Sequence, residues 1–181
     1  GATLLLNVTG TTAYDLSSVS YDNVKFYVGD QETNPQGAYF NDDGTKMYIL
    51  GRATDAAYQY TLSTAYDIST ASYDNVSLNL SGQDTDPYDI KFNNDGTSMF
   101  VTGRANDSVF QYTLSTAYDL STASYANKSF NFSSQDATPT AVTFNNDGTK
   151  MIMAGFTTDK AYQYTLSTAF DVSTASYDSV S

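Results

Sequence analysis

Phe92-Asn93-Asn94-Asp95-Gly96-Thr97-Ser98-Met99-Phe100-Val101-Thr102-Gly103 is the stretch that decides the fold. An apolar run ends, an Asp-Gly turn follows, and a second apolar run closes on glycine. Asp-Gly between two such runs is a hairpin signal, because glycine reaches the left-handed conformation these turns need. The stretch recurs at a spacing of 52 residues, as Asn41-Asp42-Asp43-Gly44-Thr45 before it and Asn145-Asn146-Asp147-Gly148-Thr149 after it. Working outward, Tyr58 to Leu62, Phe110 to Leu114 and Tyr162 to Leu166 keep the same spacing. So does the whole proline content, Pro35, Pro87 and Pro139. Residues 61–104 and 113–156 are identical at 27 of 44 positions, which is duplication rather than chance.

Each unit reads as four short strands. Strand a alternates apolar and polar residues through Val24, Phe26 and Val28, then Val76, Leu78 and Leu80, then Lys128, Phe130 and Phe132. Lys128 departs from the pattern. Strand b follows the proline, strand c follows the Asp-Gly turn, and strand d is the Tyr-Gln-Tyr-Thr-Leu run. Gly51, Gly103 and Gly155 each close strand c. The d–a connectors have room for one helical turn at most. The boundaries are read as 1–25 (a partial unit with an extra strand), 26–77, 78–129 and 130–181, in one continuous domain.

Four antiparallel strands in about 50 residues, repeated, predict an all-β, propeller-like architecture of three four-stranded blades plus an extra N-terminal strand. The Asp-Gly turn running into Phe100-Val101-Thr102-Gly103 resembles the YVTN family of propeller repeats, whose blade passes through the same turn into a Tyr-Val-Thr-Asn strand. Tyr48-Ile49-Leu50-Gly51 and Ile152-Met153-Ala154-Gly155 stand in that place in the other units. The resemblance covers strands b and c, about a third of the chain, and implies a cell-surface or extracellular setting.

Composition narrows the chemistry. Eight Lys+Arg against 20 Asp+Glu give a net charge of −12, which argues against nucleic acid or anionic membrane as a partner. Apolar runs, Leu4-Leu5-Leu6 among them, are no longer than four residues, so no transmembrane helix is expected, and Gly1-Ala2-Thr3 lacks the basic start of a signal peptide. With no Cys and no His, disulfides, thiolate metal sites and a Ser-His-Asp triad are excluded within the chain. All but one of the acidic residues are Asp, the exception being Glu32; Asp suits turns.

Residues 1–25 align with 53–77 and with 157–181, so strand d occurs four times and the other strands three times. Three explanations stand: a piece of a longer repeat protein, two chains forming a six-bladed ring, or donation of a strand to a neighbour. Leu4, Leu5, Leu6, Asn7 and Val8 would be the assembly strand. A homo-oligomer or polymer is therefore the expected partner, with glycans or surface proteins as further partners.

The b–c turns and d–a connectors are expected on one face, and the variable a–b and c–d loops on the other. Arg52, Asp55, Asp84, Asp86, Arg104 and Asp107 are the candidate ligand residues there. The Asn-Asn-Asp-Gly turns lack an EF-hand ligand pattern, which leaves weak calcium binding at most and no other cofactor. Tyr66, Tyr118 and Phe170 in the connectors suit packing better than sugar stacking. Of six Asn-x-Ser/Thr sequons, those at Asn75, Asn79, Asn127 and Asn131 fall on strand a, read as the innermost strand, which leaves Asn7 and Asn106 as the glycosylation candidates. Nothing in the repeat is read as breaking symmetry with a catalytic group. The expected function is thus a non-enzymatic extracellular protein of adhesion or assembly, with a lectin-like module as the alternative.

Overall fold

The computed structural model describes Ser17 and residues 19–179. Leu4, Leu5, Leu6, Asn7 and Val8, which the sequence reads as an extra N-terminal assembly strand, lie outside the described residues. Within them are three antiparallel four-stranded sheets. The first blade holds β1 (Pro35–Phe40), β2 (Lys46–Gly51), β3 (Ala56–Leu62) and β4 (Ala71–Asn79), hydrogen-bonded in that order. The second holds β5 (Pro87–Phe92), β6 (Ser98–Gly103), β7 (Ser108–Leu114) and β8 (Ala123–Asn131). The third holds β9 (Pro139–Phe144), β10 (Lys150–Gly155), β11 (Lys160–Leu166) and β12 (Ala175–Tyr177).

The all-β, propeller-like reading holds, and the strand order corrects it in one respect. Strand a is not innermost. It pairs with strand d of the same sheet and forms the outer edge, as β4, β8 and β12. The innermost strands are the proline-led β1, β5 and β9, which pack side by side along the blades' inner edge. Alternation revealed a strand with one buried face, but period 2 does not name the partner. Residues 24–28, the first strand a of the sequence reading, join no ladder among the described residues. Phe26 and Val28 still pack on blade 1, with Phe26 edge-on to Tyr60 at 5.5 Å between ring centroids.

The blades are joined by their faces. Tyr48 and Leu50 of blade 1 meet Ile90, Phe92, Met99 and Val101 of blade 2 in one buried cluster. Phe100 and Val109 of blade 2 meet Val142, Met151 and Met153 of blade 3 in the next. A polar bond recurs in each seam. Gln59 Oε1 accepts the Leu120 backbone N–H at 2.8 Å, and Gln111 Oε1 accepts that of Val172 at 3.2 Å. Lys128 has its reason here as well: it sits in mid-strand and its Nζ reaches Asp171 Oδ2 of blade 3 at 2.7 Å.

The Asp-Gly turns form as their residues predict. Gly44, Gly96 and Gly148 have φ of +71°, +71° and +70°. Asp95 Oδ1 accepts the Thr97 N–H at 2.9 Å, and Asn93 Oδ1 accepts that of Ser98 at 2.8 Å. These are the turn-backbone bonds that Asn and Asp make best. The connector aromatics close over the same glycines: a Cβ on Gly96 would lie 2.3 Å from Tyr118 Cδ2, with equivalent contacts from Tyr66 to Gly44 and from Phe170 to Gly148. The b–c turns and d–a connectors therefore share a face. Gly96→Ala combines a left-handed backbone with a ring clash, and we expect it to destabilise by about 2 kcal/mol or more. Urea denaturation of the variant beside wild type measures this.

Candidate functional site

The opposite face is organised by buried carboxylates. Glu32, Asp84 and Asp136 precede β1, β5 and β9 at equivalent positions and are almost wholly buried. Asp84 Oδ1 accepts the N–H groups of Asp86 at 2.7 Å and Ala105 at 3.2 Å, and its Oδ2 accepts that of Asn106 at 2.9 Å. Each carboxylate thus ties the loop entering one blade to the β2–β3, β6–β7 or β10–β11 turn of the same blade. The strand-closing glycines make room for them: a Cβ on Gly103 would fall 2.2 Å from Asp84 Cγ. Burial acts to raise the Glu32 and Asp136 carboxyls, but their hydroxyl and backbone N–H donors outweigh it and hold both below the ordinary range.

Of the sequence-predicted ligand residues, Asp84 is therefore a structural tie whose oxygens are occupied. Asp55 and Asp107 are turn residues in left-handed conformation, with φ of 52° and 50°. Burial, then the charges of Asp84, Asp86 and Glu32, raise the Asp55 carboxyl. Arg52, Asp86 and Arg104 do come together across blades 1 and 2. Arg52 Nε lies 3.1 Å from Asp86 Oδ1, close but off the line a hydrogen bond needs, and Arg104 Nε lies 4.0 Å from Asp86 Oδ2. The Arg104 guanidinium covers the Tyr88 ring at 4.6 Å. Asn106 is exposed, and its amide donates to the Gln83 carbonyl at 2.7 Å. Among the described residues no group of three or more metal-ligating side chains lies close enough to hold an ion.

Tyr88 leads from this rim to the feature that sequence reasoning missed. A cleft of about 300 Å³ lies along the inner strands, lined by Gln36 of β1, by Tyr88, Asp89 and Lys91 of β5, and by Thr140 and Thr143 of β9. Here the repeat loses its symmetry. Where the middle blade has Asp89 and Lys91, blade 1 has Gly37 and Tyr39, and blade 3 has Ala141 and Thr143. Asp89 Oδ1 accepts the Ile90 N–H at 2.9 Å and pairs with Lys91 Nζ at 2.9 Å, and its Oδ2 accepts the Val142 N–H of blade 3 at 3.1 Å. Asp89 is thus at once a clamp between two inner strands and a holder for one ammonium. Lys91 Nζ also reaches the Ile90 carbonyl at 3.3 Å and stands 5.9 Å from the centre of the Tyr39 ring. Subtracting the three units position by position along strand b would have exposed the pair.

No family model and no curated protein matches the sequence. Solved structures do match in fold. A candidate 6-phosphogluconolactonase from Bacteroides uniformis aligns with a TM-score of 0.60 at 10% identity, over 79% of this chain and 39% of that one. A protein from Lactobacillus plantarum gives 0.58 at 16% identity, over 79% and 40%. The periplasmic gluconolactonase of Pseudomonas aeruginosa gives 0.56 at 12% identity, over 79% and 37%. The chain spans about two-fifths of the length of these proteins.

These likenesses correct the functional expectation. The expectation of a non-enzymatic role in adhesion or assembly rests on a propeller repeat in which nothing is read as breaking symmetry with a catalytic group. The propeller stands, but propellers of this shape include proteins named as lactonases, and Asp89 and Lys91 are charged where the other two units are not, so the non-enzymatic expectation is overturned. The lectin-like alternative gains no support from the matches. A periplasmic protein among them is compatible with a periplasmic or extracellular setting. No helix among the described residues is long and apolar enough to cross a membrane.

Because the Glu32 and Asp136 carboxyls are lowered in the fold, they stabilise it fully above their unfolded values near pH 4, and that contribution is lost as pH falls through the folded values. Replacing both, as Glu32→Gln with Asp136→Asn, should lower stability at neutral pH and flatten its decline below about pH 4. Urea titrations across the acid range test both effects. In fold, the described residues form three blades of a β-propeller type.

Proposed function

We propose that this chain contributes its inner-strand cleft to a β-propeller hydrolase that opens a cyclic ester of a polyhydroxylated acid. The observation that carries the reading is the Asp89–Lys91 pair, a buried carboxylate presenting an ammonium to a cleft where the other two blades have no charge. The lactonase names among the fold's likenesses supply the reaction class.

In such a reaction water adds to the ester carbonyl, the carbon–ring-oxygen bond breaks, and the ring oxygen leaves with a proton. Lys91 would donate to the oxygen that gains negative charge, a role worth most where water is excluded. Asp89 holds that ammonium in place; Gln36, Thr140 and Thr143 supply neutral hydrogen-bonding groups of the kind that hydroxyls on a substrate need. We place the protein in an extracellular or periplasmic setting and read its repeat as YVTN-like. Further blades would pack on the outer face of blade 3, either from the same polypeptide or from another copy. There the Gln163 side-chain oxygen corresponds to the oxygens of Gln59 and Gln111, which accept a neighbouring blade's N–H.

The test is proton release from gluconolactone in a pH-stat with purified protein. Opening faster than the spontaneous rate is expected, with Lys91→Met reducing it by about 100-fold or more, as for loss of one oxyanion donor. Turnover no faster than spontaneous, or unchanged in the Lys91 variant, overturns the reading.

A further inference from the structure

The sequons set aside as inaccessible lie on the outer edge of the blades. Asn75 and Asn79 are on β4 and Asn127 and Asn131 on β8, and all four are exposed. They divide by what their amide nitrogens do. Asn131 Nδ2 donates to the Asn106 carbonyl at 2.9 Å and lies 3.2 Å from Ser108 Oγ. Asn106 Nδ2 donates to the Gln83 carbonyl. The amide nitrogens of Asn75, Asn79 and Asn127 donate to no group among the described residues. Asn79 uses only its oxygen, which accepts the Ser81 N–H at 2.9 Å and the Ser81 hydroxyl at 2.6 Å. Asn75 and Asn127 sit at φ of 57° and 56°, where each strand shifts register against its partner, at Gln59/Tyr60 and Gln111/Tyr112.

We propose that Asn75, Asn79 and Asn127 are acceptors for N-linked glycans carried on the free edges of the first two blades. In the modification the amide nitrogen bonds to the anomeric carbon of a lipid-pyrophosphate-linked oligosaccharide. The carbon–oxygen bond to pyrophosphate breaks, lipid pyrophosphate departs, and the amide loses one proton. An amide nitrogen with no acceptor to surrender is the one free to react. The position also has a physical use. β4 and β8 are edge strands of nine residues each, with one side of the backbone unpaired. A long open edge invites pairing with another chain, and a bulky hydrated group beside it blocks that approach.

The experiment is secretion of the chain from a eukaryotic cell that performs N-glycosylation. Enzymatic glycan release in heavy-oxygen water then marks each occupied Asn as labelled Asp for peptide mass spectrometry. Marks are expected at Asn75, Asn79 and Asn127 and not at Asn106 or Asn131. Ser77→Ala, Ser81→Ala and Ser129→Ala should each remove the mark of its own sequon while leaving the asparagine in place. An unmarked Asn75, Asn79 and Asn127 in the folded, secreted protein overturns the proposal. So does equal marking of Asn106 and Asn131, since the folded geometry then selects nothing.

Discussion

A single four-stranded blade would leave apolar side chains on both faces in water, so everything in this structure depends on each sheet burying a face against the next. Between blades 1 and 2, Tyr48, Leu50, Ile90, Met99 and Val101 are all essentially inaccessible. Side chains of this size contribute about 1.5–3 kcal/mol each when buried, which makes the seam the main stabilising element of the blade pair. Apolar burial has no direction of its own, however. Polar bonds across the seams supply it: Gln59 and Gln111 each receive one N–H from the following blade's connector, beside the Tyr48 hydroxyl on the Tyr118 carbonyl and Lys128 on Asp171. A buried amide left without that donor would cost more than the bond gains, so the glutamine admits one rotation of blade on blade and penalises others.

Much of this was legible in the sequence because each local rule is strong. The Asp-Gly turns, the closing glycines and the b, c and d strands all stand where residue type and spacing put them. The shared face of the Asp-Gly turns and connectors also follows from antiparallel order, and Tyr118 lying on Gly96 is its physical expression. What alternation could not supply was the partner of strand a. Leu78 and Leu80 look the same from the chain whether their strand starts one sheet or ends another. The deciding contacts are long-range: Ala57 opposite Leu78 in the ladder, and a loop whose Asp84 then carries the chain to the inner strand of the next blade. The accessibility of four sequons was inverted by that one ambiguity.

The candidate site was hidden for a different reason. Reading the units for what they share brings out Glu32, Asp84 and Asp136, whose carboxylates are taken up by backbone donors at every occurrence. Such residues are required to fold each blade, and their repetition says so. Asp89 has no counterpart to share that explanation. Gly37 and Ala141 hold the same place in the neighbouring blades, so a small side chain is enough for an inner strand to form there.

A buried carboxylate in that place carries a desolvation cost that glycine and alanine avoid. Two backbone N–H groups and the Lys91 ammonium offset it, and the arrangement closes only because β9 brings the Val142 N–H to the second oxygen. Architecture alone would never select so demanding an arrangement over a methyl group. A charge placed at the cleft, held by a partner that is itself held from two strands, has the properties needed to act on a ligand. In the proposed reaction the ammonium would already be in position, so little reorganisation would remain when negative charge develops on the ester oxygen. The repeat thus separates two uses of a buried carboxylate: the one that ties the loops of every blade, Glu32, Asp84 or Asp136, and Asp89, which the repeat does not explain.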